Sequence, residues 1–308
     1  VDLMPVYSIR HRTIYSYAEM VAASVNQARL RPRDLAGQRL LSFSLEADPG
    51  LESYEEIQDF FGNPTCFFQL QSAHEKFTLT ANSRIDVSWA SLKAPPPTPS
   101  WEDAARQIAL SDNAELQSAL QFALDSPMVH SFPELRDYAQ RSFPADRPVG
   151  DAVLHLMHRI HRDFRFRPGS TSLSTTLETV FQNRSGVCQD FSHLMIGCLR
   201  AMGLAARYVS GYLETLPPPG KKKLVGSDAS HAWVSLFVPG GGWIDFDPTN
   251  NLMPGPRHIT VAWGRDFSDI SPLRGVLYGG GEQTLKVEVD VLLEESPPAE
   301  AGGKPSAQ

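Results

Sequence analysis

Cysteine is scarce in this sequence: three occur in 308 residues, Cys66, Cys188 and Cys198. An odd, sparse set is no disulfide framework and suits a reducing compartment. No CxxC pair is present, which argues against a cysteine-based zinc site. No apolar run approaches the length of a membrane-crossing helix. The N-terminus, VDLMPVYSIRHRTIYSY, lacks an apolar core, so no signal peptide is visible and a cytoplasmic location is expected. Positive charge is in deficit, with 28 Lys and Arg against 35 Asp and Glu and a net charge of −7. That balance favours solubility and argues against nucleic acid as the main partner; a membrane partner is not expected either. There is no D-x-D-x-D-G loop to imply calcium, and no internal repeat.

What is present describes a globular α+β chain. Hydrophobic residues make up 42% and charged residues 20%, enough for a sizeable core in one large or two ordinary domains. Polar and apolar residues alternate over 6–17, 39–47, 67–70 and 76–92, with a turn at FGNP, 61–64. Residues 1–92 therefore predict a β-sandwich domain. KAPPPTPS, 93–100, predicts a stiff linker. The period then changes. Helices are expected at 101–110, 114–126, 132–143 and 150–164, the last with Val153, Leu154, Met157 and Ile160 on one face. Thr175 or Thr176 suits the cap of another, with Glu178 in its first turn. Strands are expected at 204–214, 231–238, 243–249, 257–263 and 284–292. The segment 101–293 thus reads as a helical stretch plus a core domain. The loop 214–230 carries a lysine run at 221–223, read as a solvated tip, and 294–308 has a disordered composition.

The chemistry centres on SGVCQDFSHLMIGCLRAMG, 185–203. A helix from about Val187 to Met202, closed by Gly203, puts Cys188 at its N-terminus. Unpaired N–H groups and the helix dipole favour a thiolate there, and the thiolate is the nucleophile. Gly186 is expected to let the backbone turn and keep the approach to Cys188 open. Cys66 and Cys198 lie among apolar neighbours and read as small core residues.

A nucleophilic cysteine needs a base, and the base an orienting group. In HAWVSLFV the even residues, Ala232 to Val238, are apolar and predicted to face the core. His231 lies on the odd face. In WIDFDPT, Asp245 and Asp247 lie opposite the apolar Ile244 and Phe246. Matched apolar faces put His231 and Asp247 on one side of a hairpin. A turn centred on Gly240 and Gly241 sets Asp247 opposite Val234, so a bulge or an earlier turn is needed to join the pair. Taken singly, a strand-start histidine is a surface residue and an aspartate before proline a turn former; the order Cys, His, Asp is the rarer pattern. His155, His158 and His161, spaced by three, are read as a solvated helix face rather than a metal site.

The blocks GVCQDFSH, SHAWV and GWIDFDPTNN together resemble the transglutaminase-like superfamily of papain-type fold. HRTIYSY, LRPRD and DFFGN resemble the β domain that precedes this core in many bacterial members. The resemblance spans roughly residues 5–292. It implies a papain/transglutaminase-like core, a cysteine-led helix on an antiparallel sheet. It implies a catalytic triad of Cys188 as nucleophile, His231 as general base and acid, and Asp247 as its orienting group. The implied activity is acyl transfer from an amide through a thioester. A cysteine peptidase or amide hydrolase on the same triad is the alternative, and a non-catalytic interaction module a third. The implied partners are a protein or peptide amide and a primary amine acceptor, with no metal and no organic cofactor. Asp190 fits a supporting role at the helix start, His193 projects too far round to be the base, and Gln182 is a weak oxyanion candidate beside the Cys188 main-chain N–H.

Overall fold

The computed structural model describes residues 5–89, 92–110, 112–215 and 230–294. Five strands come first: β1 (Val6–Ala28), β2 (Gln38–Asp48), β3 (Ser53–Gln58), β4 (Pro64–Leu70) and β5 (His74–Val87). β1 is the axis. Its first half pairs with β5 and its second half with β4, in the order β2-β5-β1-β4-β3. The register shifts between Ser16 and Val21, where β1 passes from one wing to the other. Phe68 of β4 and Phe77 of β5 meet at 6.0 Å in a core with Cys66, Leu70, Leu79 and Ala81. The expected sandwich is thus one antiparallel sheet curled on itself, because β1 is long enough to serve both wings.

The helical stretch follows: α1 (Trp101–Leu110), α2 (Ala114–Leu120), α3 (Pro133–Gln140) and α4 (Val149–Asp163). Then come β6 (Arg165–Phe166), α5 (Leu177–Asn183), β7 (Ser185–Gly186) and α6 (Cys188–Ala201). Thr176 caps α5 by accepting from the Thr179 N–H. The linker is packed rather than free: the Val149 N–H donates to the Pro99 carbonyl and the Gly150 N–H to Thr98 Oγ1.

A four-stranded antiparallel sheet, in the order β10-β9-β8-β11, is built from β8 (Ala206–Leu213), β9 (Ser230–Val238), β10 (Gly242–Phe246) and β11 (His258–Gly264). Its even face, Ala232, Val234 and Leu236 among it, packs against α6, as the alternation requires. Leu194, Met195, Ile196 and Leu199 of α6 are fully buried. Burial contributes about 1.5–3 kcal/mol for each such side chain, against about 0.5–2 kcal/mol for a good cap, so packing holds this helix in place. Past its end, Gly203 takes the left-handed conformation (φ 76°). There the Leu204 N–H reaches the Leu199 carbonyl and the Gly203 N–H that of Arg200, closing the helix with paired carbonyls.

Residues expected in the C-terminal core return to the first sheet. β12 (Leu273–Gly279) and β13 (Gln283–Leu293) both pair with β1. They run as one interrupted strand along its open side, because β1 otherwise has no partner there. The lysine run 221–223, the central part of the 214–230 loop and the tail from 295 lie outside the described residues.

Candidate active site

Cys188 is the first residue of α6 and is partly exposed. Val187 before it is extended, and its N–H donates to Asp190 Oδ2 at 2.7 Å. Asp190 therefore closes the helix start from its third position, and the same oxygen accepts from Thr171 Oγ1 at 2.7 Å. Gly186 is not a turn residue as expected. It lies in β7, paired in parallel with Phe166, and a Cβ on it would stand 2.7 Å from both Cβ and Oδ2 of Asp190. It is glycine so that the aspartate can lie against the backbone.

His231 is the second residue of β9, and its ring lies between two partners. Its Nε2 donates to Asp247 Oδ2 at 2.7 Å, and the Cys188 side chain lies close enough to raise its basicity. With Nε2 engaged by the carboxylate, Nδ1 is the nitrogen left for the sulfur. His231 is 9% exposed and Asp247 is fully buried.

The hairpin register differs by one from the expected turn. Phe246 pairs with Val234, so continuing the ladder would set Asp247 across from Trp233. His231 is one same-face step beyond Trp233, and the contact is a diagonal one. No bulge is needed. Asp247 instead leaves the ladder and bridges to Leu252.

The two oxygens of Asp247 divide the labour. Oδ1 accepts the Thr249 and Asn250 N–H groups at 2.9 and 3.1 Å, which is the turn-forming role. Oδ2 accepts from His231, from Asn250 Nδ2 at 2.7 Å and from His258 Nε2 at 3.2 Å. Burial alone would raise this carboxyl, but the two imidazoles hold it far below the usual carboxylate range. Burial alone would lower His231, but the hydrogen bonds and charges of Asp247 and Cys188 raise it to about 10.

Asn250 and His258 were not singled out from the sequence. Asn250 stands in the quoted block GWIDFDPTNN, so a turn-by-turn reading of Asp-Pro-Thr-Asn could have found it. His258 carries no local signal; it opens β11 and meets Asp247 only through the fold. His231 Nε2, Asp247 Oδ2 and His258 Nε2 lie within 4.8 Å of one another and are the described atoms that could converge on a cation. Their spacings of 2.7 and 3.2 Å are those of hydrogen bonds.

Of the three spaced histidines His158 and His161 are exposed, as expected, and His155 is half-buried, but each has a partner. His158 Nδ1 bonds Asn251 Oδ1 at 2.5 Å and His161 Nδ1 bonds the Thr249 carbonyl at 3.0 Å, latching α4 to the loop that wraps Asp247. His155 bonds Ser142 Oγ. His193 is buried away from the thiol, where its Nε2 accepts the Phe267 N–H. Burial lowers it to about 4, so it is neutral near pH 7. Gln182 is exposed on α5 and does not join the Cys188, His231 and Asp247 chain.

A cysteine-led helix packed on an antiparallel sheet that supplies a histidine and an aspartate is the architecture of papain-like cysteine proteins. Residues 7–86 match the bacterial transglutaminase-like N-terminal region, and residues 136–248 match the transglutaminase-like superfamily. The chain belongs to the transglutaminase-like superfamily. An uncharacterized protein of Mycobacterium tuberculosis is 40% identical over 301 residues, covering 93% of this chain and 92% of its own. A protein-glutamine gamma-glutamyltransferase of Pseudomonas aeruginosa is 30% identical over 159 residues, 50% of this chain and 23% of that protein. The crystal structure of a candidate cysteine protease from Cytophaga hutchinsonii shares the fold, with a TM-score of 0.73 at 22% identity over 96% of this chain and 93% of that one. No helix among the described residues is long and apolar enough to cross a membrane.

Proposed function

We propose that this protein is a cysteine-dependent acyltransferase acting on amide bonds, with Cys188 as nucleophile, His231 as general acid and base, and Asp247 as the group that orients the imidazole. The observation that carries it is one imidazole set beside the helix-start thiol and hydrogen-bonded to a buried carboxylate. The Cys188 thiolate attacks the amide carbonyl, with the Cys188 main-chain N–H at the helix mouth as donor to the oxyanion. As the C–N bond breaks, the proton on His231 Nδ1 passes to the departing ammonia or amine, and a thioester remains on Cys188. His231 then takes a proton from the incoming nucleophile as it attacks the thioester, and the thiolate leaves. A primary amine as acceptor gives transamidation; water gives hydrolysis.

The match to the transglutaminase-like family, and a relative named as a protein-glutamine gamma-glutamyltransferase, favour a glutamine side chain as donor and a primary amine as acceptor. The test mixes a glutamine peptide with a labelled primary amine and follows incorporation against ammonia release. Incorporation that disappears in Cys188→Ala is the expected result. Ammonia alone would replace the transferase by an amidase, and a cut peptide by a peptidase. Loss of none of these in Cys188→Ala would remove the nucleophile from the scheme.

A further inference from the structure

A second cleft, of about 350 Å³, opens on the odd face of the four-stranded sheet, with His258, the partner of Asp247, in its wall. Its size is that of a small-molecule site. Trp89, Trp233, Trp243 and Trp263, four of the five tryptophans in the chain, line it. Leu35 of the first β unit and Leu92 and Pro96 of the linker close the side facing the sheet, so the cleft exists only where the parts of the fold meet.

Arg207 forms part of the wall. Its guanidinium stacks 4.1 Å from the Trp243 ring centre and 3.7 Å from that of Trp263. Arg33 stacks on the same Trp263 at 3.5 Å, so two cations share this corner. Arg33 has acceptors, the Asn63 side chain and the Phe61 carbonyl. Arg207 forms no ion pair among the described residues, and its Nε is buried without an acceptor. Ser235, directly opposite Arg207 in the ladder, likewise has a buried hydroxyl with no partner. Asp245, on the other side of Ser235, uses its Oδ2 for the Trp233 indole N–H at 3.0 Å. Burial lowers Arg207 to about 9 against the pull of the nearby Asp245 carboxylate, so it is still charged at neutral pH.

A planar cation whose Nε lacks an acceptor, set among aromatic walls with Asp245 as its nearby carboxylate, is complementary to a planar anion on an apolar body. Guanidinium favours carboxylate because its fork matches two oxygens at once. Trp233 is fully buried and Trp263 is already stacked by Arg33 and Arg207, so the open stacking area belongs to the half-buried Trp89 and Trp243. We infer that this cleft binds a small organic carboxylate with an aromatic body, the carboxylate on Arg207 and the ring against Trp89 and Trp243.

Tryptophan fluorescence reads the site directly. The intact protein is titrated with phenylacetate, and in parallel with phenylacetamide and phenethylamine, which keep the ring and replace the carboxylate by a neutral or cationic group. Saturable quenching by phenylacetate alone is expected. It should weaken at least tenfold in Arg207→Gln, persist in weaker form in Arg207→Lys, and be unchanged in Cys188→Ala. No saturation by phenylacetate at millimolar concentrations, equal response to all three compounds, or full affinity in Arg207→Gln overturns the assignment. The three-compound comparison on the unaltered protein decides the matter even where Arg207→Gln fails to fold.

Discussion

Three thiols of one chain differ in chemistry because they differ in place. Burial raises the Cys66 thiol to about 11, and Cys198 goes higher still in the sealed core. Cys188 alone is partly exposed, beside an imidazole. Iodoacetamide near neutral pH is therefore expected to modify Cys188 first, with peptide mapping as the check; equal labelling of all three would contradict the assignment. Within the proposed triad, His231→Ala should cost about 10²–10⁴-fold in turnover. Asp247→Asn should lower it less than Cys188→Ala does, and full activity would mean the imidazole is oriented by something else. The same pair sets a pH dependence. His231 is raised from 6.5 to about 10 on folding, so its stabilisation is complete below about pH 6.5 and is lost as pH rises through about 10. Asp247 is depressed, so its contribution is present above its ordinary 3.8 and is lost only in stronger acid. The melting-temperature gap between the wild type and His231→Ala should accordingly be widest between about pH 4 and pH 6.5, narrow as pH rises and close above about pH 10.

At the scale of elements, short-range geometry does the positioning. Asp190 holds the first turn of α6 through the Val187 N–H, and it can do so because residue 186 has no side chain. Gly186→Ala would put a methyl group 2.7 Å from Asp190 Cβ, forcing the carboxylate off its partner. A loss of about 1–3 kcal/mol is expected, read from the urea midpoint. Activity should fall with it as the helix mouth frays. The helix and its glycine stop were legible beforehand, because the apolar period and Gly203 are local signals. The strand alternation was legible too: Ala232, Val234, Leu236 and Val238 do face α6. What alternation could not supply was the one-residue register of the hairpin, since that depends on which of three consecutive glycines turn. Nor could it assign His158 and His161, whose partners are 88 and more positions away.

Across the whole molecule, two side-chain amides join the first β unit to the second sheet. β11 is an edge strand, and its free backbone groups are met as a neighbouring strand would meet them. Gln38 accepts the Thr260 N–H and donates to the Thr260 carbonyl, both at 2.8 Å. Asn63 does the same for Trp263, at 3.0 and 2.9 Å. LRPRD and DFFGN supply this joint: Arg33 donates to Asn63 Oδ1 at 2.6 Å, and Asn63 meets Trp263. Gln38→Ala should leave the Thr260 N–H without a partner, while the Thr260 carbonyl keeps the Arg33 N–H at 3.3 Å, and cost about 1–3 kcal/mol. Faster amide exchange at Thr260, measured against Trp263, would localise the loss. Unchanged exchange would mean water replaces the amide without penalty. β12 and β13 add a second tie by returning to β1, so the two units are closed by the chain's own ends as well as by side chains.

The sequence by itself determined most of the helices and strands, though not β3 or β12, together with the thiol at a helix start and the shared face of His231 and Asp247, because each follows from periods of 3.6 and 2 and from caps a few residues long. The tertiary structure alone decided that His258 and Asn250 complete the carboxylate's shell. It alone also sent the last strands back to β1 and gathered four tryptophans around one cleft. Those outcomes rest on contacts between residues far apart in the chain, where no local period carries information and only the packing of whole faces selects a partner.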